Sequence, residues 1–273
     1  MRRSMVAVLV PAVLALMLMV PGCGNGGTAQ AVDYLGRISE IHDGVAWDLS
    51  YVLESLSGIP RDEYYHLEEL RGLFDEARGI FALAYREADS LQPLPEAEEL
   101  HADLLNFYRE GEEKIGKTVD SLGFFQAVLP MLADVQNLAL PSLPEAAAPE
   151  EIKAAGEEDR RTIDMYLADL EGWRPPEGLL SYLERTRGLF NALRDAIIGV
   201  QQAPPPEEHA RLSQLREQYA AMAETARQLQ GEVASFLSGV GSGIDALIRE
   251  GRELASRVQD LLGAPTATPP EKR

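Results

Sequence analysis

Apolar residues along most of this chain step alternately by three and four positions. Leu35, Ile38, His42, Val45, Leu49, Val52 and Leu56 form one such stripe. Leu67, Leu70, Phe74, Ala77, Phe81, Ala84, Ala88 and Leu91 form a second, and Leu179, Leu183, Thr186, Phe190, Leu193, Ile197 and Val200 a third. Two more run Leu212, Leu215, Tyr219, Met222, Ala226, Leu229, Val233, Phe236 and Ile244, Leu247, Gly251, Leu254, Val258, Leu261. A three-four step puts one apolar seam along each helix, as in bundles whose helices cross at about +20°. No run of β-branched alternation bounded by turn pairs competes with it. The pattern predicts an all-α fold of antiparallel helical bundles.

Turn residues divide the pattern. Ser57-Gly58-Ile59-Pro60, Gln92-Pro93-Leu94-Pro95, the Pro141–Pro149 stretch, Trp173-Arg174-Pro175-Pro176 and Ala203-Pro204-Pro205-Pro206 each read as a stop. Gly239-Val240-Gly241-Ser242-Gly243 reads as a hinge. Helices are expected near 31–57, 61–91, 96–138, 150–172, 176–202, 206–238 and 242–262, with bends in the third at Gly123 and Pro130.

Part of the pattern occurs twice. Arg71-Gly72-Leu73-Phe74 returns as Arg187-Gly188-Leu189-Phe190, and Pro93-Leu94-Pro95-Glu96 matches Pro204-Pro205-Pro206-Glu207. In the register of that second match Leu104 aligns with Leu215, Tyr108 with Tyr219 and Phe125 with Phe236. Proline and glutamate also favour any helix start, which makes a short match cheap. Several matches in one register point to a duplication. Two related three-helix units are therefore expected, at 31–140 and 163–262, with 141–162 as a Pro/Ala/Glu linker and part of a connecting helix; the helix near 150–172 either joins the units or adds a fourth strut to the second.

The first residues break with this pattern. Met1-Arg2-Arg3-Ser4 precedes an apolar run from Met5 to Val20, which ends in Val20-Pro21-Gly22-Cys23. A basic start, an apolar core and a small residue at the cut describe a secretory signal over 1–22. The run is short of the roughly 20 residues needed to span a bilayer. Val20-Pro21-Gly22-Cys23 resembles the lipobox of bacterial lipoproteins. That resemblance implies a diacylglycerol on Cys23, cleavage before it, and anchoring to the outer face of a membrane. Cys23 is also the only cysteine, so a lipidated chain has no disulfide. Residues 23–30 are expected to be a flexible tether and 263–273, with its Pro/Thr composition, a disordered tail. The helical remainder loosely resembles uncharacterised helical regions of other bacterial lipoproteins, a likeness that carries no activity with it.

Charge narrows the partners. The 25 basic residues fall to 23 without Arg2 and Arg3, against 44 acidic ones, a formal charge of −21. Nucleic acid, which needs Lys and Arg against its phosphates, is excluded as a partner. The membrane, through lipid on Cys23, and an envelope protein are the partners expected.

Candidate chemistry is sparse. Glu63-Tyr64-Tyr65-His66 and Glu98-Glu99-Leu100-His101 have the Glu-x-x-His spacing of di-iron bundles. They open consecutive antiparallel helices, so they lie roughly 40 Å apart at 1.5 Å per residue and cannot share a metal. His42 and His101 sit on seams of two parallel helices, at the same end, with Tyr85 near that level. These three are the candidate ligand pocket. No cofactor motif or nucleophile elbow is present, and no metal site, cofactor or catalysis is expected. A non-catalytic interaction or spacer domain is the leading expectation, and a small-ligand or metal-binding module the alternative.

Overall fold

The computed structural model describes residues 26–58 and 66–263. They form α1 (Gly26–Gly58), α2 (Leu67–Asp89), α3 (Glu98–Asp134), the single turn α4 (Ala139–Ser142), α5 (Pro149–Gly172), α6 (Leu180–Gln201) and α7 (Pro205–Gly263). Among the described residues there is no strand. The all-α expectation holds. The expected signal segment, Cys23 and most of the tail lie outside the described residues.

Each seam is where the core is. Leu35, Ile38, His42, Val45, Leu49 and Val52 are all buried on α1, and Phe74, Ala77, Phe81, Ala84 and Ala88 on α2. α7 buries Leu212, Leu215, Ala226, Leu229 and Val233, then Ile244, Leu247, Leu254 and Val258. Local signals set several helix starts. Glu151 reaches back with Oε2 to accept the Ala148 N–H at 2.9 Å, and Pro149 opens α5 without needing an N–H.

The helices pack as two four-helix bundles that share two members. In one, α1, α2, the N-terminal part of α3 and the C-terminal part of α7 pack in a ring, α1 on α2, α2 on α3, α3 on α7 and α7 on α1. Gln259 meets Ser39 at 3.4 Å and Arg257 meets Asp103 at 2.6 Å, so α7 runs antiparallel to both α1 and α3. In the other bundle, α5, α6 and the C-terminal part of α3 surround the N-terminal part of α7. There Tyr182 Oη donates to the Leu229 carbonyl at 3.0 Å, and Arg185 grips both oxygens of Glu232 at 2.6 and 2.5 Å. Trp173 and Tyr182 stand edge-on to Phe124, joining α5 and α6 to α3. One continuous apolar cluster runs through both bundles.

Three expectations need correction. Gly239–Gly243 is not a hinge: α7 runs unbroken for 59 residues, about 90 Å at 1.5 Å per residue. Val240, half-buried four residues from both Phe236 and Ile244, carries the seam through the glycines, and packing outweighs their weak helix propensity. Residues 26–30, expected as tether, are the first turn of α1. The grouping into 31–140 and 163–262 does not describe which helices pack together. The last third of α7 completes the first bundle, the end of α3 completes the second, and α5 packs on α6 as a strut of the second bundle. A three-helix unit leaves one apolar face open, and each half closes the other's.

Candidate functional site

α1 places His42 on its inward seam, 3 % exposed, where α3 and α7 converge. Its Nε2 lies 2.7 Å from the Gly251 carbonyl of α7, which can only accept, so Nε2 carries the proton. Its Nδ1 lies 3.0 Å from Tyr108 Oη of α3. Burial pulls the pKa of His42 below its ordinary value, against the opposing pull of the Gly251 carbonyl and Asp43. A neutral ring with its proton on Nε2 has a lone pair on Nδ1, so Tyr108 is the donor there. Burial also pushes the Tyr108 phenol up, which keeps that proton in place. Gly251 allows the approach, since a Cβ there would meet Phe107 at 3.2 Å and the His42 ring at 3.7 Å.

His101, on the first turns of α3, has its own tyrosine. Tyr34 Oη and His101 Nδ1 share a hydrogen bond of 2.8 Å. Burial pushes Tyr34 up to about 12 and pulls His101 down, Asp89 opposing the latter. The Tyr34–His101 pair and the His42–Tyr108 pair lie seven to eight residues apart along the same two helices, about 11 Å by the helical rise.

The structure therefore does not bring the three candidate pocket residues into one site. α1 and α3 run parallel, as expected, but His42 and His101 stand two turns apart. Each is satisfied by a different tyrosine. Tyr85 is half-buried against the core and hydrogen-bonds to neither histidine. A cavity of about 100 Å³ beside His42 is bordered by Val45, Leu49, Phe107 and Leu247 and reaches neither His101 nor Tyr85. Because both nitrogens of His42 are committed, this histidine ties three helices together and has no lone pair left for a metal or a substrate proton.

Of the two Glu-x-x-His sequences, Glu63 lies outside the described residues. His66 sits 3.4 Å from Glu69, while His101 turns inward to Tyr34. Among the described residues no group of three or more His, Cys, Asp or Glu could hold a metal ion. Sequence reasoning found the two histidines and missed Tyr34 and Gly251. Gly251 did leave a signal, since a glycine at a seam position marks a close approach.

Asp159 of α5 is the other buried ionisable group with a defined task. Its Oδ1 and Oδ2 accept the N–H groups of Ala139 and Leu140 at 2.9 and 2.7 Å, capping α4. Burial raises its pKa while the two N–H donors oppose the rise.

Comparison with protein-family models, curated proteins and solved structures found no match to this chain.

Proposed function

We propose that this chain is an exported lipoprotein, anchored through Cys23, whose helical body acts as a non-catalytic spacer or interaction scaffold at the cell envelope. The observation that carries this reading is the short stretch of chain between Cys23 and the core of α1. Gly26 is already helical. Among the described residues the first core residue of α1 is Tyr34, eleven residues after Cys23, at the end of the first bundle where Gln259 near the C-terminal end of α7 meets Ser39. An acyl group on Cys23 would thus attach at one tip of an elongated body. The second bundle would stand at the far end of an α7 about 90 Å long. Among the described residues no helix is long and apolar enough to cross a membrane.

Two further features support the scaffold reading. The buried histidines are spent on holding helices together. The exposed aromatics Trp47 and Tyr51, one turn apart on α1, give the first bundle an outward face for a protein partner. The duplication read from the sequence also gains support. Phe125 and Phe236, equated by its register, meet edge-on with ring centroids 5.1 Å apart where α3 packs on α7. Residues that meet their own counterparts are what an axis between two related halves would produce.

The test is metabolic labelling with a radiolabelled fatty acid, followed by membrane fractionation. Wild type is expected to carry label and sediment with membranes. Cys23→Ser is expected to lose the label and become soluble with its helical circular dichroism unchanged. A wild-type chain that takes up no label, or a Cys23→Ser chain that keeps it, overturns the anchor.

A further inference from the structure

Beside the glycine run of α7 the joint between helices opens into a groove of about 380 Å³, within the range of small-ligand sites. Phe74 of α2, Ile115 of α3 and Phe236, Val240, Ile244 and Leu247 of α7 line it. Gly239 and Gly243, one turn apart, complete the wall. Close packing does not require glycine there, because a Cβ at either position meets nothing within 4 Å. That separates them from Gly111, where a Cβ would sit 2.3 Å from the Phe81 ring. Glycine is the poorest helix former after proline. Two of them in a helix interior, with no neighbour that needs them, keep open a space that side chains would fill.

The polarity of the groove is defined. Among the described residues Lys114 is the only charged one that borders it, and Thr118 stands one turn further along α3. No carboxylate among the described residues lines it, in a chain with 44 acidic residues and only 25 basic ones. Lysine is scarce, and Lys114 and Lys117 are two of the four in the sequence. Lys114 holds Glu110 at 3.0 Å, but both are about half exposed, and a pair of that kind is weak enough to exchange. Away from Lys114, Phe74, Ile115, Ile244 and Leu247 also border a narrow void that reaches Leu49 and Val52 of α1. That void is only about 10 Å³, so the groove has a cationic rim at Lys114 and ends against a closed apolar wall toward α1.

We propose that this groove takes the alkyl chain of a single-chain amphiphile with an anionic head, such as a long-chain carboxylate, with the head at Lys114 and the chain pointing toward α1. At about 30 Å³ per water-sized group, the space holds on the order of a dozen methylenes, one chain rather than two. This reading stands on residues of α2, α3 and α7 and does not depend on the lipid anchor.

The experiment is photo-crosslinking of the full-length chain with dodecanoate carrying a diazirine near its terminal methyl, mapped by mass spectrometry. Cross-links are expected within 236–247 and at Phe74 and Ile115, and unlabelled dodecanoate is expected to suppress them. Gly239→Leu with Gly243→Leu fills the groove and should abolish them. Lys114→Glu should weaken labelling by dodecanoate and leave labelling by the matching alcohol probe unchanged. Cross-links scattered over the surface, or insensitive to unlabelled dodecanoate, overturn the proposal whether or not the double variant folds. Equal labelling by a dodecylammonium probe overturns the anionic head. Cys23→Ser is expected to label like wild type whatever becomes of the anchor.

Discussion

His42 and His101 give the chain an acid-sensitive element that follows from single residues. Both lie in the core, and burial holds both below the ordinary histidine value of 6.5. Asp43 and Gly251 pull His42 the other way, as Asp89 does His101, and burial outweighs them. The unfolded chain therefore takes up these protons more readily than the folded one. Their contribution to stability is complete above about pH 6.5 and is lost as the pH falls through and below it, toward the folded-state values. In urea titrations the stability gap between wild type and a His42→Gln, His101→Gln double variant should narrow between about pH 7.5 and pH 5.5. A gap independent of pH would mean the histidines are not held neutral. Glycines divide just as sharply by surroundings. Gly111→Ala drives a Cβ into the Phe81 ring and should destabilise by about 1–3 kcal/mol. Gly72→Ala and Gly79→Ala, where a Cβ meets nothing, should each stabilise by about 0.5–1 kcal/mol in the same denaturation assay.

At the scale of elements, the seams were legible almost residue by residue, because a three-four step has only one way to bury its apolar positions. The continuity of α7 was not. Gly239, Gly241 and Gly243 give a strong local signal for a break, and the packing of Phe236 and Val240 against the core, with Phe236 edge-on to Phe125 of α3, keeps the helix intact. Gly241→Pro tests this directly. In a helix interior it should remove about 3 kcal/mol or more, whereas at a true hinge it would be nearly neutral, as equilibrium unfolding would show. The candidate site was half legible for a related reason. Seam position showed that His42 and His101 face inward. It could not show that His101 pairs with Tyr34 and His42 with Tyr108, because pairing across helices depends on axial register.

The whole molecule is held together by α3 and α7, each of which belongs to both bundles. Neither bundle can come apart without uncovering the other's fourth helix. Thermal and urea unfolding followed by circular dichroism and by the intrinsic fluorescence of Trp47 and Trp173 should therefore coincide in one transition, one tryptophan lying in each bundle. Two separated transitions would mean that the bundles fold as independent domains. What could be known from the chain alone is what local periodicity and composition carry: the helical class, the buried face of each helix, the acidic surface and an export-like start ending in Cys23. Tertiary structure alone decided which helices share a bundle, that the glycine run stays helical, and that the histidines are hydrogen-bonded into the core. Those outcomes depend on contacts between residues up to 220 positions apart, as Ser39 and Gln259 are, and a helical repeat records which face is apolar but not what covers it.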